Sequence, residues 1–247
     1  MSRTDSRKKR ADLLLIEQGL APSREKAKAL IMAGRVRAHG IPVEKAGQML
    51  PADASLEVEE QIPYVGWGGV KLEAAIKHFG IEVRGRIAAD FGASTGGFTH
   101  CLLLHGAQKV YAVDVGYGQL DPVLRKHPQV VVMEKTNVRY LKKGDFGDEI
   151  SLITADLSFI SLTKVLPVIR EVLSPGGEAV LLVKPQFEVG KRHVGKGGIV
   201  KDPELQRAAV ETVTSAAAEL GFIPKGTMEA PRQRESKNRE FLLWLLG

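Results

Sequence analysis

Ala89-Asp-Phe-Gly-Ala-Ser-Thr-Gly-Gly-Phe98 decides the fold class. It overlaps the apolar run Ile87-Ala-Ala-Asp-Phe91, which reads as a buried strand, and leads into Gly97–His105, which reads as a helix. Strand, glycine-rich turn and helix in that order open a nucleotide-binding α/β domain. Gly92, Gly96 and Gly97 let the backbone turn tightly and let a ligand approach closely. Asp114 ends the next strand, Lys109-Val-Tyr-Ala-Val-Asp114, 24 residues after Asp90. An acid at that strand tip suits hydrogen bonding to ribose hydroxyls. Together the two features predict an adenosine-bearing cofactor at the carboxyl ends of the strands; the bland alternative is a strand–helix turn with no ligand. The spacing is Gly-x-x-x-Gly-Gly, which misses the second glycine of the dinucleotide pattern, and no G-x-x-x-x-G-K-[ST] occurs. Asp90 is expected to take an ammonium group or to order the loop amides. That suits the amino-acid part of S-adenosylmethionine better than a pyrophosphate.

Downstream, apolar runs keep alternating with helical segments. Gln129–Met133, Ser151–Asp156 and Glu178–Lys184 read as strands, Leu162–Leu173 and Pro203–Leu220 as helices, and Phe222–Met228 and Glu240–Leu246 as closing strands. The pattern predicts a mostly parallel sheet covered on both faces. Upstream, Gln61-Ile-Pro-Tyr-Val-Gly-Trp-Gly-Gly69 reads as a linker, followed by a helix from Val70 to Phe79. Trp67 there either stacks on a base or packs at the domain boundary. Residues 9–60 read as a small α+β unit. Leu13, Leu14, Ile16 and Leu20 mark a first helix ended by Gly19. Ser23 caps a second over Arg24–Ala33, with Ala27, Leu30 and Ile31 on one face, and two short strands follow. Residues 1–8 are expected to form a mobile basic arm.

Charge separates the two parts. The chain has 247 residues, and its whole net charge of +6 lies in residues 1–45, which hold 11 basic and 5 acidic side chains. A small module with that excess is expected to meet a polyanion. Arg10, Arg24, Lys28, Arg35, Arg37 and Lys45 are the candidate RNA-binding residues. The single cysteine, Cys101, excludes an intramolecular disulfide and any zinc ligand set, which fits a reducing cytoplasm, and no metal is expected. Cys101 and His105 are expected to be structural. No run of 18 apolar residues and no signal-type apolar region occurs, so neither a membrane span nor secretion is expected.

Arg10–Val36 resembles the S4 RNA-binding domain. Asp90–Thr99 resembles class I S-adenosylmethionine-dependent methyltransferases. With Ala112-Val-Asp-Val-Gly-Tyr-Gly-Gln-Leu120, Glu134–Arg139, Ala155–Leu162 and Val183–Gly190, the resemblance narrows to the TlyA family of rRNA ribose 2′-O-methyltransferases, historically labelled haemolysins. It implies an α/β, Rossmann-like class I methyltransferase with a mostly parallel seven-stranded sheet over residues 70–247, preceded by the S4-like domain at 9–60 and the linker at 61–69. The implied cofactor-binding residues are Asp90, Gly92, Ser94, Thr95, Gly96, Gly97, Phe98, Asp114, Val115, Asn137 and Asp156. The implied partner is ribosomal RNA in assembled subunits.

Methyl transfer to a ribose hydroxyl needs alignment and either a base or a cation beside the 2′-oxygen. Lys184 ends the fifth strand before Pro185, and Asp156 ends the fourth, so both should face the cofactor edge. FtsJ-type ribose methyltransferases share a Lys-Asp-Lys-Glu set, which by resemblance maps to Lys71, Asp156, Lys184 and Glu240. In this reading Lys184 acts at the 2′-oxygen as base or alkoxide stabiliser. Lys71 adds positive potential and lowers the Lys184 pKa, Asp156 orients Lys184, and Glu240 orients Lys71. Lys191–Gly198 is a lid over RNA or a plain mobile loop, and Pro231–Arg239 is a second basic loop. The family's usual Ser-Arg-Gly-Gly reads Gly66-Trp67-Gly68-Gly69 here, and a glycine often found before Asn238 is Lys237. The competing readings are a non-catalytic RNA-binding or assembly factor and, disfavoured by the missing membrane segment, a membrane-active haemolysin. The loop spacing leaves a nicotinamide dehydrogenase more distant.

Overall fold

A computed structural model of the chain describes residues 8–58, 62–233 and 236–247, with the backbone alone at Lys191. The chain divides into two compact units, Met1–Gln61 and Ile62–Gly247.

The first unit comprises β1 (Lys8–Arg10), α1 (Ala11–Glu17), α2 (Arg24–Met32), β2 (Val36–Ala38), β3 (Ile41–Pro42), β4 (Met49–Pro51) and β5 (Leu56–Val58). Of the expected arm, residues 1–7 lie outside the described residues, whereas Lys8 pairs with Pro51 in a β1–β4 ladder. β2 lies between β3 and β5 in a three-stranded antiparallel sheet. The expected cap forms: Ser23 Oγ accepts the Lys26 N–H at 3.2 Å. Ala27, Leu30 and Ile31 of α2 are buried against Ala11, Leu14 and Leu15 of α1. The α1 face therefore differs from the expected one. Leu13 is 39% exposed, because the buried face of α1 is made by Ala11, Asp12, Leu14 and Leu15.

The second unit comprises α3 (Gly68–Phe79), β6 (Ile87–Phe91), α4 (Gly97–Leu104), β7 (Lys109–Val113), α5 (Pro122–Arg125), β8 (Val130–Met133), β9 (Ile150–Ala155), α6 (Leu166–Val172), β10 (Leu173–Val183), α7 (Pro185–Glu188), α8 (Pro203–Glu219), β11 (Ile223–Glu229) and β12 (Phe241–Leu246). Its seven-stranded sheet runs β11-β12-β10-β9-β6-β7-β8, with β12 alone reversed. Successive residues alternate between two apolar layers. Val180 and Leu182 join Leu72, Phe98 and Leu102 on the α3–α4 side. Leu181 and Val183 join Leu166, Ile169 and Val213 on the α6–α8 side.

Three elements depart from expectation for identifiable reasons. The helix expected over 162–173 is a single 3₁₀ turn, Leu162–Lys164, followed by α6. Pro167 suits only the first turn of a helix, so the regular part starts there. Pro185 does not end regular structure; it opens the one-turn helix α7. α3 begins at Gly68 rather than Val70. A Cβ on Gly69 would lie 2.1 Å from Tyr64 Cγ, and one on Gly97 would lie 2.9 Å from the Gly69 nitrogen. The two helix starts thus meet backbone to backbone, which side chains would forbid. This contact brings Lys71, two residues further along α3, to the carboxyl edge of the sheet.

Candidate active site

The carboxyl ends of β6, β7, β9 and β10 surround an open cleft of about 1230 Å³, beside a smaller hollow of about 220 Å³. Gly92, Ser94, Asp156 and Ser158 line both. Gly92 makes the shared wall possible: its φ is +84°, and a Cβ there would lie 2.6 Å from the Asp156 carbonyl oxygen.

Asp114, Val115 and Asn137 line the cleft, and Thr95, Gly97 and Phe98 line the smaller hollow. Asp114 stands where the sequence places it. Its carboxylate accepts the Ser94 N–H at 2.8 Å and the Gly116 N–H at 2.7 Å, so it also organises the glycine loop. Asn137 accepts the Arg139 N–H and caps a short turn at the rim.

Two of the expected cofactor residues do not line either hollow. Asp90 is fully buried and lines neither hollow. It accepts hydrogen bonds from Thr99 Oγ1 at 2.7 Å and Thr154 Oγ1 at 3.0 Å. The reason is strand period: Asp90 is two residues from Ala88, so its side chain enters the layer beneath α4 rather than the loop surface. Burial pushes its carboxyl up to about 7; the two threonine bonds oppose the shift, and the negative charge of Asp156 adds to it. Gly96 likewise lines neither hollow; its φ is +97°, and a Cβ there would lie 2.3 Å from Leu124 and 2.8 Å from Leu120.

The four charged residues come together as two ion pairs. Lys184 Nζ lies 2.5 Å from Asp156 Oδ1 and donates to Ser158 Oγ at 3.0 Å. Lys184 is buried, and it lines the smaller hollow. Lys71 Nζ lies 2.5 Å from Glu240 Oε2 in a second, largely shielded pair. Phe241 pairs with Val183, so Glu240 stands one step beyond that rung, beside Lys184. Neither Lys71 nor Glu240 lines the hollows. They stand behind the strand ends that present Lys184 and Asp156.

Sequence reading missed Gln119, Ser158, Phe159, Gln186 and Phe187 in the cleft wall. Phe159 is 92% exposed at φ +65°, and its ring centroid lies 5.4 Å from that of Phe187. An exposed aromatic beside a strand-end acid is a readable signal, but only once the sheet order is known. Trp67 packs within its own unit and donates from Nε1 to the Pro231 carbonyl at 3.2 Å. Asn238 accepts the Val200 N–H and donates to the Gly198 carbonyl, which stitches the two basic loops together.

In the first unit, Arg10 and Arg24 are not free basic contacts. Both bind the buried Asp12, Arg10 at 2.9 and 3.0 Å and Arg24 at 3.1 Å. The Arg10 hydrogen bonds, aided by Arg24, lower the Asp12 carboxyl to about 2 against its burial. Lys28 and Lys45 are exposed, whereas Arg35 and Arg37 are partly buried.

Comparison with known proteins accords with this geometry. The model of FtsJ-like methyltransferases matches residues 64–246, and that of the S4 domain matches residues 9–55. A Mycobacterium tuberculosis protein named 16S/23S rRNA (cytidine-2′-O)-methyltransferase TlyA is 46% identical over 97% of this chain and 90% of its own length. Hemolysin A of Brachyspira hyodysenteriae is 41% identical over 94% and 98%. A solved structure from Streptococcus thermophilus, carrying a hemolysin designation, shares 42% identity with TM-score 0.75 over 98% of this chain and 89% of that one. An S-adenosylmethionine-dependent methyltransferase from Mesorhizobium loti shares the fold alone, with TM-score 0.56 and 18% identity over 74% of this chain and 100% of that one.

Proposed function

As this chain belongs to the FtsJ-like methyltransferase family and carries an S4 domain, we propose that it methylates the 2′-hydroxyl of a ribose in ribosomal RNA, using S-adenosylmethionine. The nucleoside is a cytidine, the substrate an assembled ribosomal subunit, and the compartment the cytoplasm. The observation that carries this reading is the pairing of Lys184 with Asp156 at 2.5 Å at the junction of the two hollows.

The residues present fit the cofactor. A cleft of about 1230 Å³ exceeds the range of about 300–1,000 Å³ usual for one small ligand, which leaves space for a nucleoside as well. Gly92 offers a wall without a side chain, and Asp114 stands at the strand tip where ribose hydroxyls are held. Bound S-adenosylmethionine supplies the electrophilic methyl group.

The chain's own residues supply alignment and charge. Lys184, fixed between Asp156 and Ser158, stabilises negative charge on the 2′-oxygen as its proton passes to water in the open cleft. An ammonium already committed to a carboxylate favours this role over that of a base. Glu240 holds Lys71, whose charge adds to the positive potential at the strand ends. Phe159 and Phe187 present aromatic surface on which an unstacked base can lie. Among the described residues no helix is long and apolar enough to cross a membrane.

The test is incubation of the protein with methyl-labelled S-adenosylmethionine and unmodified small and large subunits, followed by nucleoside analysis. The expected product is labelled 2′-O-methylcytidine. Lys184→Met should lower the rate about 100-fold or more with cofactor affinity little changed. No label in either subunit despite cofactor binding would overturn the reading. Full turnover by Lys184→Met, with label present, would overturn the role of Lys184 and move the chemistry away from it.

A further inference from the structure

One partly buried carboxyl has no part in the chemistry above. Glu188 is the last residue of α7. Its Oε2 accepts the Ser161 hydroxyl hydrogen at 2.6 Å, and its Oε1 accepts the Leu162 N–H at 2.9 Å. Burial raises its pKa, and these two donors counter that shift. An acid kept where burial opposes it must be held by specific partners.

Those partners close the segment that follows β9. The other end of that segment is held by Lys184, through Asp156 at 2.5 Å and Ser158 at 3.0 Å. Lys184 and Glu188 are four residues apart and flank the single turn of α7. One helical turn therefore holds residues 156–162 at both ends. Between the two anchors sits Phe159, in the left-handed region at φ +65° and almost wholly exposed. Such a backbone state costs about 1–3 kcal/mol and persists only where its surroundings over-determine it.

We propose that Glu188 is a positioning residue for methyl transfer: by clamping Ser161 and Leu162 to α7 it fixes the Asp156–Lys184 pair and the outward presentation of Phe159. This rests on the ribose-methylation reading. Glu188 lines neither hollow, so it acts through the segment it clamps and not on substrate or cofactor.

Three variants test it with subunit RNA and S-adenosylmethionine at saturation. Glu188→Gln preserves the clamp. Its carbonyl accepts from Leu162, and its amide donates to Ser161, whose hydrogen turns to Thr163 Oγ1 at 2.7 Å. It should turn over within about threefold of the parent protein. Glu188→Ala should lose about 10- to 100-fold in kcat, the range a displacement near 1 Å produces, with KM and cofactor Kd within about threefold. Amide exchange at residues 157–162 should quicken in Glu188→Ala and not in Glu188→Gln. If Glu188→Ala does not fold at the assay temperature, Ser161→Ala carries the test, with about a 3- to 10-fold loss in kcat measured well below its melting temperature, since the lost cap to Thr163 also lowers stability. Undiminished kcat in the alanine variants, or a loss that merely follows the folded fraction and that glutamine does not rescue, would overturn the proposal. Inactivity of the parent protein itself would count against ribose methylation and not against the clamp, which the amide-exchange comparison still decides.

Discussion

Asp90 turns its carboxylate to Thr99 and Thr154 in the buried layer beneath α4. Its position after an apolar run and before a glycine loop was legible, and the direction of its side chain was legible too, since Ala88 and Asp90 share a strand face. Assigning Asp90 to the loop set this alternation aside, although the run Ile87–Phe91 reads as a strand and β6 spans it. The consequence is a pH dependence of stability. The unfolded chain releases this proton near 4, whereas the native state holds it until about 7. The native state therefore binds more protons in that window. The stability from this group is full below the unfolded value and lost as pH rises through about 7. Denaturant unfolding at pH 5 and pH 8 should show the parent protein losing roughly 2–4 kcal/mol more than Asp90→Asn. An equal loss in both would remove Asp90 as its source. Lys184 and Asp156 were legible from strand-end position alone. Lys71 and Glu240 were singled out only by resemblance, because a helical lysine and a pre-strand glutamate carry no signal until the sheet places them 2.5 Å apart.

At the scale of elements, alternation of apolar strands and helices was enough to predict the sheet. The ladder of β1 with β4 was not, because strands of three residues with charged or singly apolar faces lack a period to read. α7 escaped for a related reason: proline was read as a terminator when it also starts a turn. The meeting of α3 and α4 gives a prediction of its own. In Gly69→Ala the new methyl would sit 2.1 Å from Tyr64 Cγ, so Tyr64 or the start of α3 must move. Overpacking of that kind costs about 1–3 kcal/mol. Thermal unfolding should show the loss, and kcat should fall beyond it because Lys71 is carried away from Glu240. A variant with normal melting and normal kcat would mean the helix start yields without moving its lysine.

At the scale of the whole molecule, the charge asymmetry marked the first unit as the one that meets a polyanion, and its core and cap were readable. What the asymmetry could not reveal is that part of the basic excess is structural. Arg10 and Arg24 hold Asp12, so reversing either tests folding before it tests binding. Lys28 and Lys45 are the informative pair, both exposed. Binding of ribosomal RNA should weaken steeply with salt. Changing Lys28 and Lys45 together to Glu should weaken it about tenfold or more at moderate salt and flatten the salt slope by about two, with a normal melting temperature. Unchanged affinity and slope would place the RNA contacts elsewhere. Finally, the ion pair of Lys71 with Glu240 joins residues 169 positions apart, whereas the bonds of Asp114 to Ser94 and Gly116 order the glycine loop from residues 20 and 2 positions away. During refolding, the glycine loop can order from nearby contacts, while the pairing of Lys71 with Glu240 must wait for a long-range closure that is slow to find. With the role proposed for Lys71 and Glu240, turnover is thus a readout of completed folding, one that a chain with an ordered glycine loop can still fail.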